Sequence, residues 1–239
     1  MNITYLGHSG FSVETSDAYY IFDYIRGELP EFDKDKKIYI FVSHAHQDHW
    51  KPDLYEDERL RDAAMYILGF DIRETFAGMT CRYPFLTQIP LTWAYPLQEI
   101  RTGDFTCTPI LSTDEGVAFL IRTKNETIYH AGDLNWWHWN VDPAERNRER
   151  AVNFKREIDR MKGVHIDAAF APLDPRQEYA YRYCMDYCLE TLDADHVFPM
   201  HFWEKYDLCA TYHESLKLLH PDWYERFQPI AFQGEKFTV

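Results

Sequence analysis

The sequence predicts an α/β protein built from two similar halves. In each half, short strands come first and strand–helix units follow, an order that indicates a pseudo-duplicated α/β sandwich. The chain has 239 residues, of which 46% are hydrophobic, and this is enough to bury one sizeable core. We therefore expect a single domain over residues 1–239.

The first half begins with short segments rich in Ile, Val, Phe and Tyr. Clusters of Gly, Ser, Asp and Lys separate them, which predicts strands at residues 3–6, 11–14, 18–23 and 38–42. The last of these is a continuous apolar run, which is typical of a strand covered on both faces. Pro52 and Asp53 predict a helix start, and the helix is expected to continue through Ala64. Residues 66–100, with a strand-like piece at 66–70, are predicted to form an insert or flap at the edge of the core.

The second half repeats this order of elements. Strands are predicted at residues 105–111, 117–122 and 127–130. In the helix that follows, Ala151, Phe154, Ile158 and Met161 form one apolar stripe, and Gly163 is the expected C-cap. The remaining segments are predicted as a buried strand, a helix, a strand, a helix and a closing strand, over residues 166–173, 177–192, 196–200, 209–219 and 227–232.

Composition excludes several classes of partner. The net charge is -14 and no basic run is present, whereas a nucleic-acid binder needs a basic surface, so no nucleic-acid partner is expected. No stretch approaches the ~18–20 apolar residues of a membrane span, and no signal segment is recognisable. The five cysteines are odd in number and fit no zinc-ribbon or CxxC motif, which favours buried reduced thiols and a cytoplasmic protein.

The segment His44-Ala-His-Gln-Asp-His49 carries the strongest functional signal, because it directly follows the apolar strand 38–42. Imidazole nitrogens and carboxylates suit zinc and neighbouring first-row metals. His44 and His46 point to the same side of an extended segment and can hold one ion, while Asp48 and His49 can reach a second position. The alternative is a solvated loop that happens to contain histidines, and the spacing after a buried strand disfavours it.

This motif resembles the His-x-His-x-Asp-His signature of the metallo-β-lactamase superfamily. Two later segments are similar to further family marks in the same order: Tyr129-His-Ala-Gly-Asp133 looks like the Gly-Asp motif, and Pro199-Met-His201 looks like the last metal-binding histidine. Leu6-Gly-His-Ser-Gly10 looks like the N-terminal turn of a subgroup that includes the ascorbate-6-phosphate lactonase-like enzymes. The resemblance implies a four-layer αβ/βα sandwich with its site at one edge of two sheets.

The resemblance also implies the metal ligands, which are His44, His46, Asp48, His49, Asp133 and His201. They would hold one or two divalent ions, with zinc as the first expectation and manganese or iron as alternatives. The superfamily usually has a further ligand histidine where this chain carries Ser112, Thr113 and Asp114. Ser and Thr are poor zinc ligands, so one metal position is expected to be short of a ligand or to take one from Asp114.

The implied activity is hydrolysis of a small anionic metabolite, a lactone, ester or phosphoester, by a metal-activated water. Asp48 and Asp133 are the expected catalytic carboxylates: Asp48 as an acceptor of a hydrogen bond from the nucleophile, and Asp133 between two metals. The alternative is a degenerate, non-catalytic metal-binding protein, which the residues at 112–114 favour. A homo-oligomer is compatible with either reading.

Four further residues are expected around the site. His8 is a candidate for the substrate pocket, with a role in the turn as the alternative. Trp136 could wall the pocket or simply pack under the next helix, and Arg176 could bind a carboxylate or phosphate in a bidentate fork, or pair with Asp174 or Glu178. His130 is expected to support the metal ligands from behind.

Overall fold

Two mixed β-sheets and their helices make up the chain, which confirms the predicted α/β class. The computed structural model describes residues 1–239. By their internal contacts the residues fall into two compact units, Met1–Tyr95 with Phe232–Val239, and Pro96–Ala231. Each unit contains one of the sheets.

The strands are numbered along the chain. In the first unit they are β1 Asn2–Gly7, β2 Gly10–Glu14, β3 Ala18–Phe22, β4 Lys37–Val42, β5 Met65–Gly69 and β6 Leu91–Ala94. In the second unit they are β7 Ile100–Arg101, β8 Thr106–Leu111, β9 Val117–Arg122, β10 Thr127–His130, β11 His165–Pro172 and β12 Asp193–Met200. The last strand, β13 Lys236–Thr238, belongs to the first unit.

The helices are more numerous than the sequence predicts. The α-helices are α1 Glu58–Arg61, α2 Ile72–Met79, α3 Ala144–Ile158, α4 Tyr183–Thr191, α5 Tyr206–Leu219 and α6 Pro221–Arg226. Short 3-10 helices cover Pro52–Glu56, Pro84–Thr87, Asp159–Met161 and Pro175–Arg182. None of these helices combines the length and the apolar character that crossing a bilayer requires.

The sheet of the first unit has the order β13-β1-β2-β3-β4-β5-β6. Its β13-to-β3 side is antiparallel, while β3, β4, β5 and β6 pair in parallel. β3, β5 and the part of β4 from Tyr39 onward are apolar and almost wholly buried, as expected of strands covered on both faces. Their carboxyl ends therefore meet at one edge of the sheet.

The sheet of the second unit has the order β12-β11-β10-β9-β8-β7. Here β10, β11 and β12 pair in parallel, and β7 to β10 form an antiparallel meander. The order of strand types thus repeats between the units, as the sequence pattern predicts. The carboxyl ends of β10, β11 and β12 again meet at one edge.

Within residues 66–100, β5 and β6 are strands of the first sheet, so the expected insert at the edge of the core is wrong in its main feature. β5 and β6 extend the sheet in parallel beyond β4. The predicted helix over 52–64 is broken into the 3-10 helix Pro52–Glu56 and α1. The break has a local cause, because the Asp57 side chain accepts a hydrogen bond from the Arg59 backbone N–H and starts a new helix.

Two predictions in the second half also need correction. The closing strand at 227–232 does not form; Phe227 makes one isolated bridge to Val197, and β13 pairs with β1 instead. The helix over 177–192 is interrupted, because Glu178 has φ 51, which is incompatible with a continuous α-helix. The helical segment therefore consists of the 3-10 helix Pro175–Arg182 and the separate helix α4.

Candidate metal centre

In the first unit, polar side chains gather at the carboxyl edge of the parallel strands. Asp23 follows β3, the segment His44–His49 follows β4, and Asp71 follows β5. Neighbouring parallel strands that end at one edge bring such residues together, and this edge is where α/β sheets usually carry their sites.

The histidine-rich segment folds back on itself, so its side chains lie close together. His44 Nε2 and His46 Nδ1 are 3.0 Å apart, and the His44 and His49 ring centroids are 4.1 Å apart. Asp48 and His49 offer ligand atoms within 4.8 Å of each other, and His8 Nε2 joins this group at 3.3 Å from Asp48 Oδ2. The structure therefore brings the early motif together and adds His8 to it.

His8 reaches this position through a tight turn between β1 and β2. Gly7 has φ 131 and His8 itself has φ 55, a left-handed conformation that costs a residue with a side chain of order 1 kcal/mol or more. The His8 side chain is only 2% exposed. A buried imidazole held in an unfavourable backbone conformation beside a carboxylate is typical of a functional position.

Asp23 is the residue of this cluster that sequence reasoning missed. Its Oδ2 lies 2.7 Å from His49 Nδ1, and it also accepts hydrogen bonds from the Ser43 backbone N–H and hydroxyl, both at 2.7 Å. An ionised carboxylate only accepts, so His49 donates through Nδ1 and presents Nε2 as its ligand atom. The sequence does contain a signal for Asp23, because a carboxylate that directly follows an apolar strand is expected at the sheet edge where sites form.

Asp71 and Gly69 fix the backbone of the same loop. Asp71 Oδ2 accepts a hydrogen bond from the Ala45 N–H at 2.9 Å. A Cβ on Gly69 would lie 2.2 Å from the Ser43 carbonyl oxygen, so no larger residue fits there. β4 and β5 can therefore approach closely at the point where the histidine-rich segment begins.

The second unit repeats this construction at the edge formed by β10, β11 and β12. Asp133, Asp174 and His201 follow these strands, and all are buried. His201 Nε2 is 3.4 Å from Asp133 Oδ1, while His201 Nδ1 is 3.0 Å from Asp174 Oδ2. Asp174, like Asp23, was not predicted as a partner of a ligand histidine. His201 has φ 60, a second unfavourable conformation at a candidate ligand.

Arg176 adopts the ion-pair alternative that the sequence left open. Its Nε and Nη2 donate to the Asp174 carboxylate, at 2.9 Å and 2.5 Å from Oδ2. Burial alone would raise the pKa of Asp174, but the hydrogen bonds from His201 and Arg176 outweigh it and hold the pKa below its ordinary value. Asp174 is therefore a charged acceptor that joins His201 to Arg176.

The tryptophan-rich segment after Asp133 divides its side chains between two environments. Trp136 packs on Phe154 and Tyr183, with ring centroids 6.0 and 5.1 Å away, and it also lines a pocket of about 600 Å³ in the same unit. Trp137 instead lies beside His201, at 6.1 Å between ring centroids, and stacks on Trp139. The tryptophan next to the candidate ligand His201 is thus Trp137.

His130 is buried behind Asp133 in the second unit. Its Nδ1 accepts a hydrogen bond from the Gly132 N–H at 3.2 Å, and Gly132 has φ 52. His130 therefore holds the turn between β10 and Asp133, and its support of the metal ligands stays a prediction.

Residues 112–114 stand where the superfamily has a further histidine. Hydrogen bonds of the Ser112 and Thr113 hydroxyls fix this segment. Thr113 Oγ1 donates to the Asn135 carbonyl at 2.7 Å and accepts from its N–H at 3.0 Å. Ser112 Oγ accepts from the Asp114 N–H at 3.1 Å. The Thr113 hydroxyl therefore joins its own loop to the loop at Asn135, and the Ser112 hydroxyl stabilises the turn to Asp114.

The donor chemistry in each unit fits a divalent transition-metal ion. The first unit offers imidazoles of His8, His44, His46 and His49 with the Asp48 carboxylate, and the second offers Asp133 and His201. Mixed nitrogen and oxygen donors of this kind suit zinc, manganese and iron.

Comparisons with known proteins agree with this reading. Residues 2–201 match the family described as beta-lactamase superfamily domain, and the chain belongs to this family. A UPF0173 metal-dependent hydrolase from Opitutus terrae is 30% identical over 147 residues, which cover 56% of this chain and 63% of that relative. A second UPF0173 metal-dependent hydrolase, from an Exiguobacterium species, is 26% identical over 84% of this chain and 86% of its own length.

A solved structure shares the fold over the whole chain. It is Igni18, a metallo hydrolase from the archaeon Ignicoccus hospitalis, with a TM-score of 0.60, 16% identity, and coverage of 100% of this chain and 98% of that one. The predicted metallo-β-lactamase fold is thereby confirmed. The relatives' names agree with the prediction of a metal-dependent hydrolase.

Proposed function

We propose that this protein hydrolyses a small anionic metabolite, a lactone, ester or phosphoester, with the help of bound divalent metal. The observation that carries the proposal is the pairing of a buried carboxylate with a histidine Nδ1 in each unit: Asp23 with His49, and Asp174 with His201. Such pairs fix the tautomer and the ring orientation of metal-binding histidines, and they increase the basicity of the ligand nitrogen.

The proposed ligand set combines both units in one domain over residues 1–239. The ligands are His44, His46, Asp48, His49, Asp133 and His201, holding one or two ions, with zinc first and manganese or iron as alternatives. Two observations support this set: the order of the motifs along the chain, and the match to the beta-lactamase superfamily domain over residues 2–201. The position of His8 beside Asp48 makes it a candidate for a further ligand.

When bound, divalent ions supply Lewis-acid polarisation of a carbonyl or phosphoryl oxygen and lower the pKa of water. In this proposal the Asp48 carboxylate accepts the proton of the attacking water at Oδ2 and returns it to the leaving group. The partial exposure of the Asp48 side chain, 35%, supports access to water. Asp133 is the buried carboxylate that we propose as a metal ligand next to His201.

Substrate contacts are proposed on the side of His201. Trp137 and Trp203 flank the His201 ring at 6.1 and 5.7 Å, and the Arg176 guanidinium lies 4.8 Å from the Trp203 ring. We propose that Trp137, Trp203 and Arg176 contact the substrate. Arg176 is the anion-binding residue that the sequence predicts. Trp136, the pocket residue predicted from the sequence, stays a candidate, because it lines another pocket of the same unit although it also packs on Phe154 and Tyr183.

The test is metal loading followed by an activity panel. The metal-stripped protein is reloaded with zinc or manganese, bound metal is counted by elemental analysis, and lactones and phosphodiesters are assayed. We expect turnover that requires metal and that His46→Ala abolishes. His138→Ala is the matched control, since His138 bonds Tyr179 and lies outside the proposed ligand set. Turnover that survives His46→Ala would contradict the proposal.

A second candidate function is metal binding without catalysis. The use of the Ser112 and Thr113 hydroxyls in loop hydrogen bonds favours it, because no histidine is available there. One tightly held ion per chain and no turnover across the panel would support this alternative. The free state of all five cysteines supports the further proposal that the protein works in a reducing compartment such as the cytoplasm.

A further inference from the structure

A small pocket opens in the second unit beside the His201 region. It has a volume of about 170 Å³ and is lined by Thr113, Asp114, Trp137, Trp139, Arg150 and Arg176. Pockets that enclose a whole drug-sized ligand usually measure ~300–1,000 Å³, so this one fits a single chemical group of a ligand.

Two stacked indole rings form one wall of the pocket. Trp137 and Trp139 have ring centroids 5.7 Å apart and an interplanar angle of 11°. Trp137 also contacts the His201 ring, so the pocket and the candidate metal ligand share this residue. A group held in the pocket would therefore lie against the same residue that contacts His201.

Arg150, from α3, supplies a cation that sequence reasoning missed. Its Nη1 pairs with Asp142 Oδ2 and lies 3.5 Å from Asn147 Oδ1, while its Nε and Nη2 donate no hydrogen bond within the chain. The Arg150 side chain is 23% exposed and lines the pocket. A guanidinium has five N–H donors, so Arg150 has donors available for a ligand in the pocket.

The second cation of the pocket is Arg176, whose guanidinium is positioned by Asp174. Both Oδ atoms of Asp174 accept hydrogen bonds from Arg176, and the guanidinium lies 5.7 Å from the Trp137 ring and 6.0 Å from the Trp139 ring. Asp114 is the acidic member of the lining, and it is exposed, so water screens its charge more strongly than that of the buried groups. The pocket thus presents guanidinium groups on an aromatic wall.

We propose that this pocket is an oxyanion subsite, in which Arg150, together with Arg176, binds the carboxylate or phosphate of the substrate. Guanidinium groups bind both anions through paired, charge-assisted hydrogen bonds. The inference rests on the proposed function, because it states where the anionic group of the proposed substrate binds. It makes Arg150 a specificity-determining residue.

The experiment measures anion binding without turnover. The purified protein is titrated with inorganic phosphate and, separately, with acetate at constant ionic strength, and tryptophan fluorescence reports binding through Trp137 and Trp139. We expect saturable binding of at least one anion, and Arg150→Gln should weaken it about tenfold or more. The anion that binds more tightly distinguishes a phosphate substrate from a carboxylate substrate.

Arg146→Gln is the matched control. Arg146 pairs with the same Asp142, at 3.6 Å, and its side chain is 63% exposed, but it does not line the pocket. Its removal should leave the anion affinity unchanged. If Arg150→Gln does not fold, Arg150→Lys is measured in its place. An ammonium keeps the positive charge but lacks the planar fork of donors, so this variant should still weaken anion binding several-fold.

Equal affinity in the wild type and Arg150→Gln, or equal loss in Arg146→Gln, would overturn the inference. Anion binding that chelation abolishes and Arg150→Gln leaves intact would place the anion on the metal, and it would overturn the inference as well. Failure of the proposed function appears elsewhere, as absent metal or absent turnover in the activity panel. The two failures are therefore distinguishable.

Discussion

Asp23 Oδ2 lies 2.7 Å from His49 Nδ1, and both side chains are completely buried. Asp174 Oδ2 lies 3.0 Å from His201 Nδ1 in the second unit, where both side chains are again buried. In each case the carboxylate follows one parallel strand and the histidine follows its neighbour. The two units therefore present a histidine Nε2 by the same construction, although they share no recognisable sequence repeat.

Asp23→Asn should lower metal affinity by about 10–100-fold, since removing the carboxylate that orients a ligand histidine has effects of this size. The amide keeps the shape of the side chain but loses the charge that favours the Nδ1–H tautomer of His49. The measurement is competition between the protein and a chelator of known affinity.

Asp35→Asn is the control for this prediction, because Asp35 is an exposed carboxylate of the same unit. It removes one negative charge without touching the histidines. Unchanged metal affinity in Asp23→Asn, or an equal loss in both variants, would show that the Asp23–His49 pair does not orient a ligand.

Asp174 should make the second unit sensitive to acid. Its pKa is lowered, because the hydrogen bonds from His201 and Arg176 exceed the effect of burial, which acts in the opposite direction. A lowered pKa in the folded state means that the stability contributed by Asp174 is complete above its unfolded pKa and is lost as the pH falls through the folded pKa. The window lies below the ordinary value of 3.8.

Asp174→Asn, studied in the metal-free protein, should therefore reduce the free energy of unfolding at pH 7 by about 1–3 kcal/mol, because it removes a buried carboxylate that accepts hydrogen bonds from His201 and Arg176. The difference from the wild type should shrink below pH 3.8. Denaturant titrations at both pH values measure it. Asp193→Asn, at an exposed position, serves as the control. A difference that does not change with pH would contradict the assignment.

The parts of the site that lie close together in the sequence were predictable. His44, His46, Asp48 and His49 belong to one short segment, so residue type and spacing alone identify them. Asp23 and Asp174 were missed, because their roles depend on which strands become neighbours, and no local pattern encodes that order. The same limit explains β5 and β6, whose place in the sheet is set by their pairing with β4.

The conformation of irregular segments was also beyond sequence reasoning. Trp136, Trp137 and Trp139 are chemically equivalent candidates, and only the path of the backbone decides which ring meets His201. The break at Glu178 has a comparable origin, since a residue with positive φ in a helical pattern is stabilised by its surroundings rather than by its own preference.

The cysteines should differ sharply in reactivity. Cys81 is exposed, whereas the other cysteines, Cys107, Cys184, Cys188 and Cys209, are buried. Burial raises the pKa of Cys107 and of Cys184, and the thiolate is the reactive form. A thiol reagent should therefore modify Cys81 quickly and the others only after unfolding. Cys81→Ser should remove the fast phase, and more than one fast equivalent in the native protein would contradict this prediction.

Arg226 should contribute strongly to the stability of the second unit. Its guanidinium donates to the backbone carbonyls of Leu189, Leu192 and Ala194, at 2.8, 2.7 and 2.7 Å, and so joins the end of α4 to β12. A lysine ammonium cannot span all of these acceptors, so Arg226→Lys should leave carbonyls unsatisfied. Each buried unsatisfied acceptor costs about 1–3 kcal/mol, and we expect a loss of about 2–4 kcal/mol in unfolding free energy.

Arg148→Lys provides the comparison for this last prediction, because Arg148 is exposed on α3 and makes no such bonds to the backbone. Surface changes of this kind usually alter stability by less than about 0.5 kcal/mol. Denaturant unfolding of both variants, followed by far-ultraviolet circular dichroism, gives the two values. Metal content should stay constant in both, since Arg226 is remote in the chain from the proposed ligands. A loss in Arg226→Lys no larger than that in Arg148→Lys would mean that water replaces the guanidinium at the end of α4.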